Sequence, residues 1–164
     1  MKSTTLLSLI TVAILALSGC KGAQTNSNES FAGGGVSESD INGDLADSDS
    51  GRAMGLQTVY YEFDSSTLSE SAKSALNQNT AILKENKSVK IQIEGHCDEK
   101  GGIQYNIALG ERRAKAAKSY LTERGVASNR ITTISYGKEK PLDSGSNEEA
   151  WAKNRRSNFR ITEK

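Results

Sequence analysis

The sequence predicts an α/β domain over residues 57–164, and two observations carry that expectation. Short runs in which apolar residues alternate with polar ones are interleaved with longer runs in which apolar residues recur every three or four positions. Strands that alternate with helices in this way give sheet-and-helix architectures, with right-handed crossovers wherever neighbouring strands are parallel. The stretch is long enough for one domain with a core of its own, and no internal repeat is visible.

The elements follow in order. Val59, Tyr61 and Phe63 alternate with Tyr60 and Glu62, which predicts a strand from Thr58 with one buried face. Ser69 is placed to cap a helix over about 70–86, whose stripe is Ala72, Ala75, Leu76, Ile82 and Leu83. Val89, Ile91 and Ile93 alternate with Lys90, Gln92 and Glu94 as a second strand. A helix over about 105–124 follows, with Ala108, Leu109, Ala116, Ala117, Tyr120 and Leu121 inward and Gly125 as its stop. Ile131–Tyr136 reads as a third strand, 147–153 as a short helix, and 158–162 as a last strand.

The N-terminal third has a different character. Residues 1–19 have the pattern of a secretion signal: Lys2 supplies the positive start, and Leu6–Leu17 an apolar run too short for a comfortable membrane span. Leu17-Ser18-Gly19-Cys20 matches a lipoprotein cleavage site, which makes Cys20 the lipidated first residue of the mature chain. Lys21 after it points to the outer membrane. Residues 20–56 then read as the lipidated cysteine and a flexible tether, rich in Gly, Ser, Asn and Asp. A coil of that length spans about 30–35 Å. With Cys20 committed to lipid, Cys97 has no cysteine to pair with, so the domain is held by its core.

Charge narrows the function. Residues 21–56 carry two basic and six acidic side chains, and residues 57–164 carry 18 basic and 14 acidic. The excess in the domain lacks the dense Lys/Arg clustering of a nucleic-acid binder but suits a mildly anionic polymer. Within Glu94–Ala114, three readings compete. Glu94, His96 and Asp98 share one side of the strand if it runs that far, a possible metal set, although His96 is the only histidine. Cys97 and His96 form a nucleophile–base pair only if adjacent strand residues converge, and they diverge. The third is a plain polar strand end in which His96 is satisfied by its neighbours, and beside all three stands recognition. Asp98, in a glycine-flanked turn, and Arg113, 15 positions later on a helix, can meet the ammonium and carboxylate of one small zwitterion. It requires no cofactor and no metal.

Three motifs in order, GHCDEKGGIQYNIALGERRA, SYGKEKP and Asn154-Arg155-Arg156, resemble the OmpA-like peptidoglycan-binding domain over Val59 to Ile161. The lipobox and tether are similar to those of its lipid-anchored members. The resemblance implies an α+β sandwich, helices packed on a mixed sheet of about four strands. It implies a binding protein rather than an enzyme, whose ligand is the meso-diaminopimelate of the peptidoglycan stem peptide. Position by position, Asp98 would accept from the ligand ammonium and Arg113 donate to its carboxylate. Asp64, after Phe63 in the YEFD run, matches a further pocket acid. Leu109 would line the pocket and Asn106 would hold the loop or helix start, while His96, Arg155 and Arg156 would support the site. Partners implied are peptidoglycan, the outer membrane through the lipid anchor, and a TolB-like periplasmic protein, with LDSGSN (142–147) as a possible partner surface.

Overall fold

The computed structural model describes residues 46–164. The signal at 1–19, the lipidation at Cys20 and the tether as far as residue 45 lie outside the described residues. The alternating runs form four strands and the three- and four-residue runs form three α-helices: β1 (Val59–Tyr60), α1 (Glu70–Glu85), β2 (Lys90–His96), α2 (Ile103–Glu123), β3 (Ile131–Gly137), α3 (Glu148–Asn154) and β4 (Arg156–Glu163). The sheet is mixed, in the order β1-β4-β2-β3, with β2 parallel to β3 and β4 antiparallel to both β1 and β2. The predicted α/β class, helices on a mixed four-stranded sheet, is therefore what the chain adopts.

Pleating explains the two faces of the sheet. Ile91, Ile93, Phe159 and Ile161 are cross-strand partners and at most 1% exposed, and they meet Leu76, Leu83, Ala117 and Leu121 from the helices. Gln92, Glu94 and His96, with Arg156, Asn158 and Arg160, alternate onto the other face. Ser69 caps α1 as expected, its hydroxyl accepting from Ala72 N at 3.2 Å. Gly125 stops α2 in the left-handed region, φ +92°, and its N–H reaches Thr122 O at 2.9 Å.

Several boundaries differ from expectation. β1 is two residues long: Tyr61 stays buried, but Phe63 leaves the strand and is 57% exposed. α2 begins two residues earlier than its pattern suggested. Ala108 is exposed, while Gly110, Arg113 and Ala114 face inward. The inward row at this end of the helix serves a polar site, so it does not follow the apolar period.

The tether boundary at residue 56 also needs correction. Ala53 and Leu56 are buried in the core, and Asp47 bridges Arg160. Ser48 N donates to Phe159 O at 3.0 Å, and Asn158 Oδ1 accepts from Ser48 N, Ser48 Oγ and Asp49 N. Polar composition hid this segment, because its first residues are held by backbone and side-chain bonds to β4 rather than by an apolar stripe.

α2 and β2 approach each other backbone to backbone. A Cβ on Gly95 would stand 1.9 Å from Gly110 O, and one on Gly110 would stand 2.9 Å from Gly95 O. Only a pair of glycines lets helix and strand touch backbone to backbone there. Gly95→Ala is therefore expected to cost about 3 kcal/mol by forcing the two apart, read as a lower midpoint in urea unfolding.

Candidate functional site

The first three turns of α2, the loop that follows β2 and the loop that follows β1 enclose a cavity of about 150 Å³. Phe63, Asp64, Asp98, Asn106, Leu109 and Arg113 all line it, so the six residues singled out for ligand contact come together. Cys97, Lys100, Gly101 and Tyr105 complete the wall.

Arg113 is the deepest of these, with no exposed surface. Its Nε donates to Ser65 O at 2.8 Å, Nη1 to His96 O at 2.8 Å and Nη2 to Glu62 O at 3.1 Å. Three of its five N–H groups thus join the loop after β1 and the end of β2 to the helix, which leaves two to offer elsewhere. Its guanidinium also lies 5.1 Å from the centre of the Tyr61 ring. Burial pushes the Arg113 pKa down, opposed by Cys97, Tyr61 and Asp98. The residue is as much a structural tie as a ligand group.

Asp98 is 4% exposed. Its Oδ1 accepts from Lys100 N at 3.1 Å, and its Oδ2 faces Arg155 Nη1 at 3.3 Å. Arg155 also holds Glu148 at 2.6 Å and donates from Nε to Tyr61 O at 3.3 Å, so the predicted support role of Arg155 corresponds to a direct brace on Asp98. Burial lowers the Arg155 pKa, but Glu148 and Asp98 outweigh it and hold the value above the ordinary one. Asn106 lies one turn inside α2, and its Nδ2 donates to Lys100 O at 2.9 Å, tying down the loop. Lys138 Nζ reaches Glu99 O and Gly101 O from the other side. Asp64 sits in the left-handed region at φ +52°, a conformation that favours aspartate over most side chains and occurs often at functional sites. It accepts a hydrogen bond from Tyr105 Oη.

Two supporting assignments fall elsewhere. β2 ends at His96 with a register shift after Gly95, so Asp98 turns into the cavity while the side chains of Glu94 and His96 stay on the opposite sheet face. The Glu94–His96–Asp98 set is therefore not assembled, and among the described residues no other metal-holding group of three appears. His96 serves this cavity only through its carbonyl. Arg156 turns the same way as Glu94 and pairs with Asp49 at 2.7 Å. Cys97 packs inward, its thiol donating to Asn106 O at 3.3 Å, and burial raises its pKa.

Lys100 and Tyr105 were missed by sequence reasoning. Lys100 Nζ lies over the rings of both Phe63 (5.2 Å) and Trp151 (3.7 Å), forming part of the rim. The signal was a lone cation inside the glycine-flanked turn, next to an aromatic residue at the helix start.

The fold and this cavity mark an OmpA-type domain. The model of the OmpA family matches residues 60–155, and the chain belongs to that family. It is 43% identical over 125 residues to the peptidoglycan-associated lipoprotein of Pseudomonas aeruginosa, covering 76% of this chain and 73% of that one. It is 34% identical to the protein of the same name from Pasteurella multocida, covering 96% and 97% of the two chains. Among solved structures it is similar to the peptidoglycan-associated lipoprotein of Burkholderia pseudomallei (TM-score 0.62, 38% identity, 63% of this chain and 88% of that chain). The C-terminal domain of Helicobacter pylori MotB shares the fold, with a TM-score of 0.62 at 21% identity over 67% of this chain and 87% of that one.

Two outcomes follow from these ties. Arg113→Ala removes the donor to the buried His96 carbonyl and to the half-buried Ser65 carbonyl, leaves an interior cavity, and is expected to lower stability by about 3 kcal/mol, measured by chemical unfolding. Tyr61, whose hydroxyl donates to Arg113 O at 2.9 Å, has its pKa pushed by burial up to about 12. The folded state therefore keeps a proton that the unfolded chain releases near pH 10. Stability is full below pH 10 and falls by roughly 3 kcal/mol as pH rises to 12. Tyr61→Phe should flatten that alkaline decline.

Proposed function

We propose that the chain is an outer-membrane lipoprotein, anchored at Cys20, whose domain holds peptidoglycan non-covalently in the periplasm. The observation that carries the reading is one small cavity lined by both Asp98 and Arg113, opposite charges on rigidly tied side chains. A diaminopimelate centre presents an ammonium and a carboxylate at one carbon. Asp98 accepts from the ammonium, the two uncommitted N–H groups of Arg113 donate to the carboxylate, and Leu109 and Phe63 cover the methylene chain. Asp64 supplies a further acceptor near the mouth, and Asn106 keeps the loop in place. The names of the relatives support peptidoglycan as the polymer bound. The role is binding, with no turnover step, and it ties outer membrane to cell wall as one part of a Tol-type system.

A second reading rests on the rim. Phe63 and Tyr105 on the cavity wall, and Ile103 at the start of α2, are at least half exposed, an apolar group suited to a protein partner such as a TolB-like periplasmic protein. The two roles then share one surface. Saturation with a diaminopimelate stem peptide should abolish partner binding if the surfaces overlap and leave it unchanged if they do not.

The primary test is co-sedimentation of residues 22–164 with diaminopimelate-type sacculi. Asp98→Ala is expected to lose about 2–4 kcal/mol of binding while remaining folded by circular dichroism. Equal pelleting of this variant and the unaltered protein would remove Asp98 from the site. Arg113→Ala alone does not decide the matter, because it weakens the fold as well.

A further inference from the structure

A second cavity of about 420 Å³ lies on the sheet face opposite α1 and α2 and shares no lining residue with the first. β2 and β4 form its floor, residues 47–50 one wall, and the loop after β3 the other. Three cations, Lys140, Arg156 and Arg160, face three carboxylates, Asp47, Asp49 and Glu94, so the lining favours neither a cationic nor an anionic ligand.

Buried polar side chains are paired almost everywhere in a folded protein. Among the described residues four buried side-chain atoms have no hydrogen-bond partner in the protein, and they belong to three residues of this one cavity: Glu94 Oε1, His96 Nδ1 and Nε2, and Arg156 Nη1. These residues are 6%, 2% and 4% exposed. Glu94 and Arg156 are already held on their other sides, and Glu94 Oε1 faces Arg160 Nη1 only at 3.8 Å, too far for a hydrogen bond. Glu94 Oε2 accepts from Asn158 Nδ2 at 3.1 Å, and Arg156 Nε donates to Asp49 at 2.7 Å. His96 Nε2 stands 3.8 Å from Glu94 Oε2, too far for a hydrogen bond. Burial opposes ionisation of Glu94, yet His96, Asn158 and Arg160 outweigh it and hold its pKa below the ordinary carboxylate range. The unpaired set therefore combines a fixed acceptor, a fixed donor and an imidazole. Pro141 and Leu142, the latter 47% exposed, add an apolar wall beside it.

A neutral group with an N–H, a carbonyl and a methyl fits that combination. We propose that this cavity binds the acetamido group of an N-acetylated amino sugar. The sugar N–H goes to Glu94 Oε1, its carbonyl to Arg156 Nη1, its methyl against Leu142 and Pro141, and a ring hydroxyl to His96. The inference rests on the wall-binding reading for the source of the sugar, a glycan strand carrying such groups, and adds a saccharide site to the peptide site.

The test is titration of the isotope-labelled full chain with tri-N-acetylchitotriose, followed by amide chemical shifts, with cellotriose as the backbone lacking acetamido groups. The expected result is saturable shifts at Glu94, His96, Leu142 and Arg156 with the acetylated trimer and none with cellotriose. Glu94→Gln, which keeps the shape of the side chain but can turn a donor toward the cavity, should weaken binding at least about fivefold. Leu142→Ser, at an exposed position that the fold does not need, should weaken it in the same direction if Glu94→Gln proves unstable. No shift at these residues, equal shifts with cellotriose, or shifts confined to the Asp98 cavity would overturn the proposal. A sugar-free diaminopimelate peptide probes the Asp98 cavity alone, so failure there counts against the wall-binding reading and not against the saccharide site.

Discussion

The guanidinium of Arg113 is the point on which the rest of the site depends. One rigid planar group, without exposed surface, collects the carbonyls of Glu62 and Ser65 from the loop after β1 and that of His96 from the end of β2. Carbonyls buried without a donor are costly, so the positive charge fixes the loop conformations as much as any apolar contact does. Phe63 and Asp64 lie between two of the tied carbonyls, and Asp98 follows two residues after the third. A lysine there would bring a point charge and could not span the same fork.

The glycine pair at 95 and 110 makes that tie possible. Backbone contact between β2 and α2 brings the first three turns of the helix down against the end of the strand, where Asn106, Leu109 and Arg113 line the cavity. The same crossing separates two environments. His96 gives its carbonyl to Arg113 on one side of the sheet and its ring to the other, and Arg155 and Arg156 divide in the same manner between Asp98 and Asp49. Adjacent residues in a pleated strand can thus serve two cavities that have no lining residue in common.

Much of this was legible in the sequence because the period of the apolar residues reports burial directly. Ile91 and Ile93 in β2, and the Leu76–Leu83 face of α1, needed nothing else. The site was legible through residue type, since Asp98 in a glycine-flanked turn and Arg113 on an apolar helix are out of place unless something unites them. Other features do not follow from local pattern. Phe63 continued the alternation of β1, but Asp64 takes a left-handed turn and the strand ends before it. Residues 46–56 looked like tether because their partners, Asn158, Phe159 and Arg156, lie more than a hundred positions away. The commitment of Arg113 to three carbonyls was equally hidden, because backbone acceptors leave no trace in the choice of side chains.

The docking of residues 46–50 on β4 has a mechanical consequence. A pull on the chain upstream of Ala46 does not act on β1, the shortest strand and an edge of the sheet. It loads the Asp47–Arg160 bridge, the three bonds accepted by Asn158 and the Asp49–Arg156 pair, all on a strand that is flanked on both sides. Traction is thereby shared across β4 into β2, and β1 is shielded from being peeled off the sheet.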